Sequence, residues 1–279
     1  MLQLRYLNTL LLIGVLTLFS CKKDKEENKP AISSVFNAPY GTDPLQKMDI
    51  YLPNGRNIET TKSIIFVHGG NWSSGDKNDI TTYLLSMREL MPDYAFFSIN
   101  YRLFQSATNE NQFPTQEEDL NLALNYILAH TAGWEISNKF VLMGIDAGAQ
   151  LALLKSYKNN VDNYIKAVIA YAPITDFTAD FSQFPITQNA IESVTGGTPA
   201  IYQQANPINF VNSAIPTLVF HGTADQDVPI TQSYLLVDSL VSNNIPNSYW
   251  YVNSSHHFDN LYIRPSIEKM KLFLDQHVQ

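Results

Sequence analysis

The residues best placed for nucleophilic chemistry form the segment Gly144-Ile-Asp-Ala-Gly148, between an apolar run at Phe140–Met143 and a helical pattern. Small residues around a central nucleophile permit the tight, strained strand-to-helix turn called a nucleophile elbow, G-x-S-x-G. Asp146 stands where this pattern has serine. Such a turn lifts the central side chain above the sheet at a helix N-terminus, which favours negative charge. We therefore expect Asp146 to lie at the centre of a catalytic or binding site.

A second motif, His68-Gly-Gly-Asn-Trp72, directly follows the apolar run Ser63–Val67. Consecutive glycines let backbone N–H groups turn inward because no Cβ obstructs them. We expect these groups to form an oxyanion hole, which stabilises the negative charge that develops on a reacting carbonyl oxygen. A plain glycine turn is the competing interpretation. The predicted donors are the N–H groups of Gly69, Gly70, Asn71 and Ala147.

Two later segments supply candidates for an acid and a base. The apolar run Thr217–Phe220 ends in His221-Gly-Thr-Ala-Asp-Gln-Asp-Val-Pro229, where Asp225 and Asp227 compete as the carboxylate that orients a histidine. After the expected strand Ser248–Val252 comes His256-His257, one of which would be the base. We interpret His221 as a buried structural histidine.

The elements that must position these residues follow an alternating pattern. Buried strands are predicted for five apolar runs bounded by Gly, Asp or Pro, and the intervening amphipathic stretches are predicted helices. This alternation predicts a doubly wound, mostly parallel sheet with helices on both faces, in which active groups collect beyond the carboxyl ends of the strands. The strands are Ser63–Val67, Tyr94–Ile99, Phe140–Met143, Lys166–Ala170 and Thr217–Phe220. The helices are Thr82–Met91, Gln116–Ala129, Ala147–Ser156, Gln232–Ser242 and Arg264–His277, the last of which is expected across the sheet edge.

From about Tyr40 to its end, the sequence resembles the α/β-hydrolase esterases of the hormone-sensitive-lipase and feruloyl-esterase-like group. The resemblance implies an α/β-hydrolase fold and ester hydrolysis without a cofactor, with Asp225 as the acid and His256 as the base. The sequence departs from the group at Asp146, where the serine nucleophile belongs. The matching motifs are Tyr40-Gly-Thr-Asp43, Met48-Asp-Ile-Tyr-Leu-Pro53, His68-Gly-Gly-Asn-Trp72, Ile99-Asn-Tyr-Arg-Leu103, Phe113-Pro114 with Asp119, Tyr171-Ala-Pro173 with Asp176, Asn206-Pro-Ile-Asn209, His221-Gly-Thr-Ala-Asp225, Val228-Pro229 and His256-His-Phe258.

An aspartate at the elbow leaves several reaction classes open. A carboxylate that attacks an ester forms a high-energy mixed anhydride, so ester hydrolysis by that route should be weak. In the related haloalkane dehalogenases and epoxide hydrolases, aspartate attacks a saturated carbon instead. Those families usually carry tryptophan where this chain has Ala147, and a larger cap than the modest lid expected at Thr178–Gln204. Two further interpretations are a silent ligand-binding site, in which Asp146 pairs with a protonated His256, and general-base activation of water by Asp146.

The N-terminus predicts a lipid anchor. Arg5 precedes the apolar run Leu10–Phe19, which is shorter than a membrane-spanning helix requires. Leu18-Phe19-Ser20-Cys21 resembles a bacterial lipobox, in which cleavage precedes a cysteine that becomes lipidated. We expect a signal peptide at 1–20, a lipidated Cys21 with a solvated tether at 21–36, and one domain at 37–279. This arrangement implies membrane attachment through Cys21 and a place in the bacterial cell envelope.

Composition excludes several function classes. The 279 residues carry a formal net charge of −8 without a basic stripe, so no nucleic-acid partner is expected. Histidines are scattered and the single cysteine is assigned to the anchor, so no metal site is expected. Thr195-Gly-Gly-Thr198 lacks the lysine of a phosphate loop and is expected to be a turn. The expected partner is a small-molecule or carbohydrate ester.

Overall fold

The computed structural model describes residues 33–158, 160, 162–255 and 260–279. Within these ranges, eight strands form one sheet in the order β1-β2-β4-β3-β5-β6-β7-β8. Strands β1 and β2 are antiparallel to their neighbours, and β3 to β8 run parallel to one another, as the sequence predicted. The strands are β1 (Ser33–Pro39), β2 (Lys47–Leu52), β3 (Ser63–Val67), β4 (Ala95–Ile99), β5 (Phe140–Ile145), β6 (Ile165–Tyr171), β7 (Thr217–Gly222) and β8 (Asn247–Val252).

Helices cover both faces of this sheet. One face carries a core in which Tyr83 and Met87 of α1 lie with Met270 of α7, and the other buries side chains of α2, α3 and α6. Alternate residues of each central strand point to opposite faces, so β3 contributes apolar side chains to both cores. The helices are α1 (Thr81–Leu90), α2 (Thr115–His130), α3 (Ala147–Lys158), α4 (Pro185–Thr195), α5 (Pro199–Ala205), α6 (Thr231–Ser242) and α7 (Asn260–His277), with 3₁₀ turns at Lys77–Ile80 and Pro207–Ser213.

Three expectations from the sequence need correction. Residues 33–36, expected in the tether 21–36, belong to strand β1, whose Val35 and Phe36 are exposed and therefore give no buried apolar pattern. Helix α7 was expected across the sheet edge, but it packs on a face against α1, β6 and β7 because its apolar stripe joins their core. The expected lid at 178–204 contains helices α4 and α5, each of which begins with proline.

The candidate residues gather at one edge of the sheet. Strands β3 and β5 are parallel neighbours, with Val67 opposite Gly144, so the glycine motif after β3 lies beside the turn after β5. The segment after β7 lies next to that after β8 for the same reason. This is the carboxyl edge where doubly wound sheets place their ligands.

Candidate active site

Asp146 occupies the apex of a sharp turn between β5 and α3. Its φ of 51° lies in the left-handed region, which aspartate tolerates better than most residues. Its N–H donates to the carbonyl of Tyr171 at 2.9 Å, and its own carbonyl accepts from Gln150 N–H at 3.0 Å. A Cβ on Gly144 or Gly148 would lie 2.2 Å from a neighbouring backbone oxygen, so both flanking positions require glycine. The turn has the geometry predicted for a nucleophile elbow.

The Asp146 carboxylate lies in the predicted oxyanion hole. Its Oδ2 accepts hydrogen bonds from the N–H groups of Gly70 and Asn71, each at 3.0 Å. The whole residue is only 3% exposed, and Oδ1 is buried with no hydrogen-bond partner in the structure. Among the described residues, no hydrogen bond joins the N–H of Gly69 or Ala147 to this carboxylate. Two of the four predicted donors therefore act on Asp146 itself.

The donors point inward because the loop after β3 has an unusual backbone. Gly70 has a φ of 100°, and Asn71 and Trp72 follow with φ values of 52° and 59°. Ser73 and Ser74 both donate N–H bonds back to the Gly70 carbonyl, which closes the turn. The side-chain Oδ1 of Asn71 is also buried without a partner. Buried acceptors of this kind are typical of sites that receive a ligand.

A buried network fixes the rest of this loop. Tyr101 stacks on the His68 ring at 4.2 Å, and its hydroxyl donates to the His68 carbonyl at 3.0 Å. The His68 Nδ1 lies 2.8 Å from the Gly69 carbonyl, an arrangement that requires Nδ1 to carry the proton. Burial lowers the pKa of His68, which favours this neutral form. The neutral ring leaves Nε2 buried and without a partner.

An ion pair anchors the loop farther along. Lys77 Nζ donates to Asp49 Oδ2 at 2.9 Å, with the two side chains only 6% and 2% exposed. The second oxygen of Asp49 accepts the Asn37 N–H at 2.8 Å, which ties the pair to strand β1. Losing either partner would leave a buried charge without compensation. The polar Met48-Asp-Ile motif therefore positions the oxyanion loop.

Gln150 is a positioning residue that the motifs did not reveal. Its Oε1 accepts from Trp72 Nε1 at 3.1 Å, and its Nε2 donates to the Ala205 carbonyl at 2.7 Å. The glutamine therefore joins helix α3 to the oxyanion loop and to the lid. A polar residue on a helix that is otherwise buried, four positions after Asp146, was the available signal.

Of the two competing acids after β7, Asp225 has the buried carboxylate. Its Oδ1 accepts the N–H groups of Asp227 and Val228 at 2.8 and 2.9 Å. Its Oδ2 lies 3.7 Å from His221 Nε2. His221 is itself fixed, with Nε2 at 3.0 Å from the Val228 carbonyl and Nδ1 at 2.7 Å from Ser233 Oγ. This geometry supports the structural role expected for His221.

The chain after β8 is hydrogen-bonded to the Asp225 turn. Ala224 N–H donates to the Ser254 carbonyl at 3.0 Å, and Gln226 N–H donates to the Ser255 carbonyl at 3.3 Å. The residue expected as the base, His256, lies outside the described residues, as does the expected lipidation site Cys21. The segment that leads into His256 is nevertheless attached to the loop that carries the expected acid.

Other polar motifs of the resemblance serve the scaffold. Arg102 donates to both carboxylate oxygens of Asp119, which also accepts from Gln46. Tyr171 is fully buried and packs on Phe220, so it is a core residue and not a pocket residue. In the described residues, no cluster of three or more metal-ligating side chains is present. The helices in the described ranges are too short or too polar to span a bilayer.

Comparison with known proteins agrees with this geometry. The profile of the BD-FAE family matches residues 48–240. Esterase LipC of Mycobacterium tuberculosis is 25% identical over 265 residues, which cover 85% of this chain and 64% of LipC, so the chain spans less than two thirds of that relative. The kynurenine formamidase of Meyerozyma guilliermondii is 26% identical over 225 residues, which cover 74% of this chain and 81% of that protein.

Solved structures confirm the fold. A structure described as a truncated form of a carbohydrate esterase from gut microbiota superposes with a TM-score of 0.73 at 20% identity, covering 91% of this chain and 99% of that chain. The matched core contains the glycine motif after β3, the elbow at Asp146 and the Asp225 turn. The esterase-like α/β-hydrolase fold predicted from the sequence is thereby confirmed. The chain belongs to the BD-FAE family of α/β-hydrolases.

Proposed function

We propose that this chain is a carboxylesterase-type hydrolase for small or carbohydrate-linked esters, in which Asp146 holds ester turnover low. In this proposal, Gly70 and Asn71 supply the oxyanion hole, Asp225 orients His256, and His256 transfers protons. The esterase relatives and the carbohydrate-esterase structure support the reaction class. The elbow and the buried Asp225 turn support the residue roles.

The observation that carries the proposal is the position of Asp146 Oδ2. An ester carbonyl must place its oxygen at the same two N–H groups before attack. The carboxylate must therefore give up two charge-assisted hydrogen bonds, which cost about 1.5–3 kcal/mol each, or about 3–6 kcal/mol together. At 1.36 kcal/mol per tenfold change in rate, this corresponds to about 10²–10⁴-fold slower turnover.

Chemistry adds a second reason for low turnover. If Asp146 attacks an ester, the alcohol leaves and a mixed anhydride forms between Asp146 and the acyl group. This anhydride is more reactive than the ester, so the released alcohol readily reverses the step. A serine at the same apex would form an ordinary ester intermediate, which water cleaves with His256 as the base.

The test compares hydrolysis of p-nitrophenyl acetate by the native protein, Asp146→Ser and Asp146→Ala. We expect Asp146→Ser to exceed the other two, and His256→Ala in the Asp146→Ser background to remove the gain. Native turnover above that of Asp146→Ala would assign weak catalysis to the carboxylate. Equal turnover of native protein and Asp146→Ala would make the native chain a ligand-binding pseudo-esterase. Background activity in all three proteins would refute the esterase assignment.

A second candidate function follows from the unpartnered Oδ1 of Asp146. With Oδ2 in the hole, Oδ1 is the oxygen available to attack a saturated carbon, whose leaving group departs with the bonding electron pair. The resulting enzyme ester already has its carbonyl oxygen at Gly70 and Asn71. Water deprotonated by His256 would then attack this ester. Ala147, at the position where such families usually have tryptophan, weakens this candidate.

Alkyl transfer to Asp146 is directly measurable. The native protein and Asp146→Asn are incubated with 1-bromobutane or styrene oxide, and bromide and diol release are quantified. His256→Ala should accumulate an alkylated protein by intact mass if this chemistry operates, because the ester can form but not be cleaved. Unmodified protein and no product with either substrate would eliminate the candidate.

We also propose that lipid on Cys21 holds the domain on the bacterial cell envelope. The lipobox-like Leu18-Phe-Ser-Cys21 and the charged segment that follows it support this location. Metabolic labelling with a radioactive fatty acid should mark the wild-type chain and not Cys21→Ser, which should move to the soluble fraction. A Cys21→Ser protein that still carries the label would contradict the proposal.

A further inference from the structure

A cavity of about 440 Å³ lies in the lid, between the loop after β6 and helices α4 and α5. This volume falls in the range of roughly 300–1,000 Å³ that is typical of small-ligand pockets. Other cavities of the molecule, such as the one lined by Pro53 and Tyr94, lie where strands begin and so at the opposite edge of the sheet. The lid cavity opens after the carboxyl end of β6, on the edge that carries Asp146.

Aromatic rings form part of the cavity wall. Phe177 and Phe181 are buried, whereas Tyr202 is partly exposed, and the rings of Phe177 and Tyr202 meet edge to face at 6.0 Å. The Phe177 ring also contacts Trp72 at 5.5 Å, edge to face. Trp72 directly follows Asn71, whose N–H binds Asp146. One tryptophan side chain therefore connects the cavity wall to the oxyanion loop.

The rim of the cavity is polar and acidic. Gln188 Nε2 donates to Glu192 Oε1 at 3.1 Å, and the Ser182 N–H donates to Asp180 Oδ1 at 2.8 Å. Hydrogen bonds from Ser182 lower the pKa of Asp180, so this carboxylate is charged at neutral pH. No lysine or arginine is present among the described residues that line the cavity. The lining thus combines apolar ring surfaces with exposed hydrogen-bond acceptors and negative charge.

We propose that the lid cavity binds a neutral sugar unit of a carbohydrate chain that bears the ester. The C–H faces of a pyranose pack on an exposed ring such as that of Tyr202, while its hydroxyl groups donate to Asp180 and Glu192. An acyl chain is a poorer occupant because it offers no donor to the two carboxylates. A uronic acid is repelled because its charge has the same sign as theirs.

This inference rests on the proposed function for its choice of ligand, but its test measures binding and not turnover. Xylohexaose, cellohexaose, mannohexaose and hexagalacturonate are titrated into the native protein by calorimetry. At least one neutral hexamer should bind, and hexagalacturonate should bind at least about tenfold more weakly. Binding of none of the neutral hexamers, or preference for hexagalacturonate, would overturn the inference. Neither result depends on whether Asp146 supports ester hydrolysis.

Variants locate the binding. Tyr202→Ala should weaken binding of the neutral hexamer by about tenfold, and Tyr202→Phe should retain it, because the ring face makes the contact. Tyr249→Ala, at an exposed tyrosine on β8, is the matched control and should bind as the native protein does. Asp180→Asn combined with Glu192→Gln should narrow the preference against hexagalacturonate. Equal affinities of the native protein and Tyr202→Ala would overturn the assignment to this cavity.

Discussion

The elbow that presents Asp146 depends on Gly148, and replacing this residue with alanine tests that dependence. Helix α3 lies so close to β3 that a Cβ on Gly148 would sit 2.2 Å from the Val67 carbonyl oxygen and 2.3 Å from that of His68. Both contacts are far below van der Waals distance, and both oxygens belong to backbone that cannot rotate away. Overpacking of this kind typically costs about 1–3 kcal/mol, and we expect Gly148→Ala to lose about 3 kcal/mol of unfolding free energy.

The matched control is Gly133→Ala. At Gly133 the nearest heavy atom to a new Cβ would be the His130 carbonyl oxygen at 3.7 Å, an ordinary contact, and the backbone is not in the left-handed region. This substitution should leave stability unchanged or raise it by up to about 1 kcal/mol, because alanine restricts the unfolded chain. Urea unfolding followed by tryptophan fluorescence gives both values. Equal unfolding free energies for the two variants would refute the packing argument.

Two further predictions concern the support of the oxyanion loop. Lys77→Met should cost about 3–5 kcal/mol because it leaves Asp49 buried without its partner, whereas Lys271→Met, which breaks an exposed pair with Asp275, should cost at most about 1 kcal/mol in the same urea assay. Burial lowers the pKa of His68, so the unfolded chain takes up this proton first, and native stability should be lost as the pH falls below about 6.5. His68→Gln should flatten that loss between about pH 7.5 and 5.5; an unchanged slope would show that His68 does not cause it.

The parallel centre of the fold was predictable from the sequence because strands buried on both faces leave continuous apolar runs. The predicted strand Ser63–Val67 matches β3 in full, and the predicted ends of α6 differ from the observed ones by one residue or less. The elbow at Asp146 and the glycine motif were likewise visible, because their backbone geometry demands glycine at fixed spacings. Periodicity and turn chemistry are therefore enough to identify the parts of this site.

What the sequence did not reveal depends on contacts between distant segments. Strand β1 is half exposed and has a bulge between Val35 and Ala38, so it carries no clear alternation. The role of Gln150 requires knowing that helix α3, the oxyanion loop and the lid meet. The sequence placed Asp146 opposite the oxyanion donors, but only the distances show that Oδ2 accepts from Gly70 and Asn71.

The central claim is that an intact esterase site is held back by the Asp146 carboxylate in the oxyanion hole. The most direct measurement is the ratio of kcat/KM for p-nitrophenyl acetate between Asp146→Ser and the native protein. The two hydrogen bonds to Oδ2 predict a ratio of about 10²–10⁴ in favour of Asp146→Ser. A ratio of one or below, with Asp146→Ser folded as judged by its urea unfolding, would contradict the account.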